Sequence, residues 1–196
     1  MRVRNMDKIY ETILFALTTE KAEKRKRNIV VEDFSHSMTA YTMSDRFRAR
    51  TGGNEAFQRY ADLGKDIYKA LFESVQDAQT KLDERGEESD AKVVLINHTE
   101  EDQYGKAKFK SVGKLLDNHI KPASHFRIVL HAIVRDEAKL EDRYVFQTKA
   151  NITHEAKSPI GMFDKEYVPN DMGMILDRVR AYDRGETVTD EQAADL

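Results

Sequence analysis

Apolar residues at Met6, Ile9, Tyr10, Ile13, Leu14 and Leu17 recur with helical spacing and predict an amphipathic helix, with Asn5 placed to cap it. The basic run from Lys21 to Arg27 suits the negative end of that helix's dipole. The period then changes. Ile29-Val30-Val31 is an unbroken apolar run, as expected of a short strand covered on both faces, and it ends in Glu32-Asp33-Phe34. Residues 35–53 carry no readable period, and Gly52-Gly53 interrupts the chain. From Asn54 to about Glu84, Phe57, Tyr60, Ala61, Ile67, Tyr68, Leu71, Phe72, Val75, Ala78 and Leu82 keep helical spacing and predict one long helix. An acidic loop, Gly86 to Asp90, leads to a second apolar strand, Val93-Val94-Leu95-Ile96, which ends at Asn97-His98.

Thr99 to Gly113 is polar, with glycine and lysine, and reads as a mobile loop; Leu115, Leu116 and Ile120 predict a short helix after it. Phe126–Val134 and Tyr144–Thr148 read as two strands of a hairpin joined by the charged turn Arg135–Arg143. Pro169-Asn170 announces a last helix with Met172, Ile175, Leu176, Val179 and Tyr182 on one face. The alternation of helix and strand points to an α/β protein. With no internal repeat and no long linker, residues 1–185 are expected to form one domain, and the acidic tail 186–196 to be disordered.

Composition narrows the function classes. Across 196 residues, 40% are hydrophobic and 34% charged, and no apolar run reaches the roughly 18 residues of a membrane span. The basic N-terminus lacks the apolar stretch of a signal peptide, and the absence of cysteine excludes disulfides and thiolate metal sites. Both fit a cytoplasmic protein. A net charge of −3 means that a nucleic-acid partner would have to be met by a local basic patch.

Three stretches carry candidate chemistry. Ile29-Val30-Val31-Glu32-Asp33 has the form of a Walker B strand, which delivers carboxylates to the carboxyl edge of a parallel sheet, where ligands bind. One acid there can hold Mg²⁺ and another can orient an attacking water. Apolar strands that end in acids are also common without any such role. Asn97-His98 at the end of the second strand is either a ligand sensor or a solvated strand terminus. Lys106, Lys108, Lys110 and Lys114, interleaved with Tyr104 and Phe109, suit single-stranded nucleic acid through phosphate contacts and base stacking. A solvated loop has the same composition. His36, His119, His125, His131 and His154 show no metal-ligand spacing and read as structural or surface residues.

Taken in order, Val30-Val31-Glu32-Asp33-Phe34, Ile96-Asn97-His98, Gly113-Lys114-Leu115-Leu116-Asp117 and Lys157-Ser158-Pro159-Ile160-Gly161-Met162-Phe163 with Pro169-Asn170-Asp171 resemble the phage RecA-like P-loop ATPases of the single-strand-annealing recombinase group. The resemblance runs from about residue 5 to 183. It implies a RecA-like fold with a mostly parallel sheet flanked by helices and a C-terminal hairpin and helix. It also implies ATP and Mg²⁺ as cofactors, oligomer formation, and action on single-stranded DNA in recombination or repair in the host cytoplasm. By position, Glu32 and Asp33 would be the Walker B acids, with Asp33 on the metal, and His98 the sensor at the strand end. Lys106, Lys108, Phe109, Lys110 and Lys114 would form the DNA-binding surface, Lys110 and Lys114 alternatively reaching a neighbour's nucleotide, and Lys157 would lie near the nucleotide.

One motif of that group is absent. A Walker A loop needs glycine, four residues, then Gly-Lys and a hydroxyl residue, so that backbone N–H groups wrap the phosphates. Gly64-Lys65, Gly105-Lys106 and Gly113-Lys114 are preceded at the required position by Arg59, Glu100 and Lys108, and followed by Asp66, Ala107 and Leu115. The fold is therefore expected to be truncated at its N-terminus, with the phosphate loop upstream of Met1 and a gap in the sheet that another chain fills. ATP hydrolysis by this chain alone is not expected. The rival reading is a non-catalytic scaffold or regulatory interaction protein derived from such an ATPase.

Overall fold

The computed structural model describes residues 5–19, 28–49, 53–136, 139 and 143–186. The basic run Lys21–Arg27, much of the charged turn Arg135–Arg143 and the tail beyond Glu186 lie outside these residues. The chain forms two compact units. The first comprises Met1–His98 and Phe109–His125, the second Thr99–Lys108 and Phe126–Leu196.

In the first unit, α1 (Met6–Thr18) starts where the Asn5 side chain accepts a hydrogen bond from the Asp7 N–H, and it buries Met6, Ile9, Ile13 and Leu17. That stripe lies against a long helical run made of α4 (Gly53–Tyr68), a π-helical turn (Lys69–Glu73) and α5 (Ser74–Arg85). The run contributes Leu63, Ile67, Ala70, Leu71, Ala78 and Leu82 to the core. Tyr10 is hydrogen-bonded to Asp77 across the contact. The expected single helix is thus interrupted by the wide π turn, in which the Ser74 hydroxyl donates to the Ala70 carbonyl at 2.7 Å. Tyr68 and Phe72, flanking and within that turn, pack their rings on His125 at 5.5 and 5.0 Å. Gly86 ends the run in the left-handed conformation (φ 63°), and its N–H and that of Glu87 satisfy the carbonyls of Asp83 and Leu82. The unreadable stretch after Asp33 holds two helices, α2 (Phe34–Thr42) and α3 (Asp45–Arg48), while α6 (Lys114–Asp117) and α7 (Pro122–His125) follow later in the chain.

Two strands, β1 (Ile29–Val31) and β2 (Val93–Leu95), pair in parallel with Val30 opposite Val94. The Ile96 N–H extends the ladder to the Val31 carbonyl at 2.9 Å, and the Phe34 N–H to the Ile96 carbonyl at 3.1 Å. Among the described residues no third strand joins this pair. Val30 is 56% exposed and Ile96 47%.

The second unit pairs β3 (Thr99–Glu101) with β4 (Ala107–Phe109), whose last residue returns the chain to the first unit. Its larger sheet has the order β5 (His131–Val134), β6 (Tyr144–Gln147), β7 (Tyr167–Pro169), antiparallel throughout. One face of it packs under α8 (Met172–Asp183), where Phe146, Met162, Phe163, Val168, Ile175 and Val179 form the core. Asp171 caps α8 by accepting from the Met174 N–H at 3.1 Å. Arg178 is buried, its Nε donating to the Met162 carbonyl and its guanidinium 3.6 Å from Asp164, so the Pro159–Phe163 turn is held onto the helix.

These sheets correct the expected architecture. A RecA-like core needs an extended, mostly parallel sheet flanked by helices. The described residues show one parallel pair three residues long, a two-stranded β3–β4 ribbon and a three-stranded antiparallel sheet. The physical reason is that an apolar run specifies burial but not neighbours. The expected hairpin is present as the antiparallel pair His131–Val134 and Tyr144–Gln147, but with β7 it forms an antiparallel sheet separate from the parallel pair. The chain is mixed α/β with short strands, and the description as a truncated RecA-like core does not hold.

Candidate functional site

The carboxyl ends of β1 and β2 lie side by side because the strands are parallel and in register, so whatever follows each strand is brought together. After β1 come Glu32 and Asp33, both exposed. Asp33 adopts φ 52° and ψ 51°, and no other described residue apart from glycine has a positive φ. This turn starts α2 at once and aims the carboxylate toward the neighbouring strand end. There His98 Nε2 lies 3.4 Å from Asp33 Oδ1, and the Ser35 hydroxyl donates to the same oxygen at 3.2 Å. The order is hydroxyl, carboxylate, imidazole. The hydroxyl meets the acid instead of the ring, so this is no activated serine. What the cluster offers is a carboxylate with one engaged oxygen and an imidazole that becomes its ion-pair partner when protonated.

Asn97 braces the site from below. Its side-chain nitrogen donates to the carbonyls of His98 (2.7 Å) and Lys110 (3.0 Å), and the Lys110 N–H donates to the His98 carbonyl at 3.0 Å. The chain leaves the first unit after His98 and re-enters it at Phe109, and this set of bonds closes that doorway. Ser35 is the participant that motif reading did not name; Asn97 entered it as part of the Asn97-His98 strand end, without this bracing role. The signal for Ser35 was its place two residues after an aspartate, a spacing common in local side-chain hydrogen bonds.

The stretch expected as a mobile loop is an ordered ribbon. Asp102 Oδ1 accepts from the N–H groups of Tyr104 (2.8 Å) and Lys106 (3.0 Å), and Gly105 supplies the left-handed turn (φ 74°). These two backbone N–H groups, Lys106 first, hold the Asp102 carboxyl below its usual range. Tyr104 stands at the tip, 85% exposed. Lys106 and Phe109 are half-buried, Lys108 lies 3.5 Å from Glu100, and Lys110 and Lys114 are exposed. Glu100, Glu101 and Asp102 share the ribbon with the lysines and offset much of their charge. Lys157 belongs to the second unit, where its backbone pairs with Val129.

The donors present do not compose an ATP·Mg²⁺ site. No glycine-rich turn of backbone N–H groups follows β1, and among the described residues no group of three or more histidines and acids could hold a metal ion. No step is derived through either cofactor. Comparison with protein-family models, curated proteins and solved structures finds no match to this chain. Among the described residues no helix is long and apolar enough to cross a membrane.

Proposed function

We propose that this chain is a non-hydrolysing subunit that acts on single-stranded DNA and works with another chain. The observation that carries the reading is the brace at Asn97. The segment bearing Tyr104, Lys106, Lys108, Phe109 and Lys110 is tied where Asn97 donates to the His98 and Lys110 carbonyls and the Lys110 N–H donates to the His98 carbonyl, and the His98 ring also stands 3.4 Å from Asp33. An exposed tyrosine on an ordered ribbon and lysines along its returning strand suit stacking on a base and contact with phosphates. The motif resemblance supports the same ligand. ATP and Mg²⁺ enter this reading only with another chain that supplies a phosphate-wrapping loop.

Fluorescence anisotropy with a labelled oligonucleotide tests the proposal. Binding is expected to weaken steeply with salt, because each neutralised phosphate releases counterions. Changing Lys106, Lys108 and Lys110 together to Ala should weaken binding and flatten the salt slope. Tyr104→Ala should cost about 1–3 kcal/mol of binding free energy, the range for a side chain stacked on one base. Unchanged binding by the triple variant, or no binding by the parent at low salt, overturns the reading.

A second reading is favoured by β1 and β2. Two all-apolar strands that, among the described residues, pair only with each other, with Val30 and Ile96 half-exposed, suit a scaffold that accepts a partner's strand alongside. Light scattering that reports a monomer at high concentration counts against self-association through that pair.

A further inference from the structure

Within the second unit, segment 151–157 is woven between two sheets by backbone bonds. On one side the Ala107 N–H donates to the Thr153 carbonyl (2.7 Å) and the Glu155 N–H to the Ala107 carbonyl (3.1 Å), which ties the segment to β4. On the other, Val129 and Lys157 exchange two bonds of 2.8 Å just ahead of β5. At the centre, His154 from the segment packs its ring on His131 of β5, with centroids 4.2 Å apart and planes tilted 45°.

Hydrogen bonds hold the His154 side of this pair in place. Asn151 Oδ1 accepts from the Thr153 hydroxyl, the Thr153 N–H and the His154 N–H, all at 2.9 Å. Thr153 Oγ1 also lies 2.8 Å from His154 Nδ1, so the hydroxyl bridges the Asn151 side chain and the ring. Across the ladder His131 faces Gln147, which is fully buried and neutral. The charged groups on the surrounding elements are Lys106 and Lys108 on the ribbon, Lys108 beside Glu100; Glu155 and Lys157 in the segment itself; and Arg135 and Lys149 beyond the ends of β5 and β6. Arg135 stacks on Tyr167, and Lys149 reaches the Asp164 carbonyl.

We infer that the His131–His154 pair is an acid-sensitive latch: with neutral rings it holds segment 151–157, and β4 with it, to the β5 edge, and protonation of both rings drives them apart and loosens the segment. Two cations cannot share a ring contact of this length without repulsion. Burial, and then the charge of His154, push His131 below the ordinary value of 6.5. A base depressed in the folded state favours the neutral form. The stability it contributes is therefore present above 6.5 and is lost as pH falls below it, where the unfolded chain takes up the proton first.

The test is amide hydrogen exchange by NMR at pH 7.5 and pH 5, corrected for intrinsic rates, with histidine ring signals followed through the titration. In the parent chain the Ala107, Glu155 and Lys157 amides are expected to lose at least tenfold in protection at pH 5, while the Phe146 amide in β6 keeps its own. His131 should titrate below the ordinary imidazole range. His154→Gln should abolish the acid-induced loss and move the His131 titration upward; His131→Gln serves the same purpose if the first variant does not fold. Equal protection at the two pH values, or an acid-induced loss that survives in the folded variant, overturns the latch.

Discussion

Asp33 occupies a backbone region that L-residues avoid, and aspartate is among the few that enter it, because its short side chain bonds locally. Here the bonding is visible: the carboxylate takes the Ser35 hydroxyl and stands beside His98. Strain of this kind persists where the surroundings hold it, and it gathers at sites with a task. Asp33→Ala is expected to lower stability by roughly 1 kcal/mol, while Asp33→Asn stays within about half of that. Urea unfolding of the two variants checks this, and equal stability would show that the turn carries no strain. Tyr41 gives a second test at this scale. Burial first, and then its hydrogen bond to Asp66, push its hydroxyl up to about 12. The folded chain thus keeps a proton that the unfolded chain loses near 10, and the stability from Tyr41 is present below 10 and declines as pH rises toward 12. Tyr10 and Tyr167 are also raised, so a spectrophotometric titration should show several tyrosines ionising late, and Tyr41→Phe should remove the component near 12. Motif reading found Asp33 and His98 because they end apolar runs. It did not find their contact with Ser35 and Asn97, since hydrogen bonds between strand ends depend on which strands pair.

Among the elements, helices with a cap and a long stripe were legible, as were the strands at Ile29–Val31 and Val93–Leu95 and the β5–β6 hairpin, but not how the strands group into sheets. Asn5 and the stripe from Met6 to Leu17 define α1 closely, because both signals are local. Ile13 is fully buried against the helical run while Phe15, two residues on, is 72% exposed. Ile13→Ala should therefore cost about 2–5 kcal/mol, and Phe15→Ala should fall within about 0.5 kcal/mol. Chemical denaturation distinguishes them, and equal losses would contradict the packing of α1. Helical spacing also placed Phe57 and Val75 in the core, yet both are exposed: Val75 follows the π turn at Lys69–Glu73, which shifts the face that later residues present, while Phe57 stands ahead of it near the start of α4. Residues 99–113 looked like a loop, since their polar composition hides the three-residue strands that Asp102 and Gly105 fold back on each other.

At the scale of the whole molecule, strand pairing decides what the chain can do. Among the described residues, three small sheets place acids and a histidine at the end of one parallel pair in the first unit and lysines on a ribbon in the second, and no glycine-rich phosphate-wrapping turn follows β1. Isothermal titration with ATP and Mg²⁺ is expected to show no micromolar binding by this chain alone. Such binding would mean that another loop cradles the phosphates, and would end the non-hydrolysing reading. The most direct measurement of the central claim is an NMR map of single-stranded DNA on the isotope-labelled chain. The account predicts amide shifts at Tyr104, Lys106, Phe109 and Lys110, accompanied by shifts at Asn97 and His98, where that segment is braced. Shifts confined to other surfaces, or none at low salt, would contradict it.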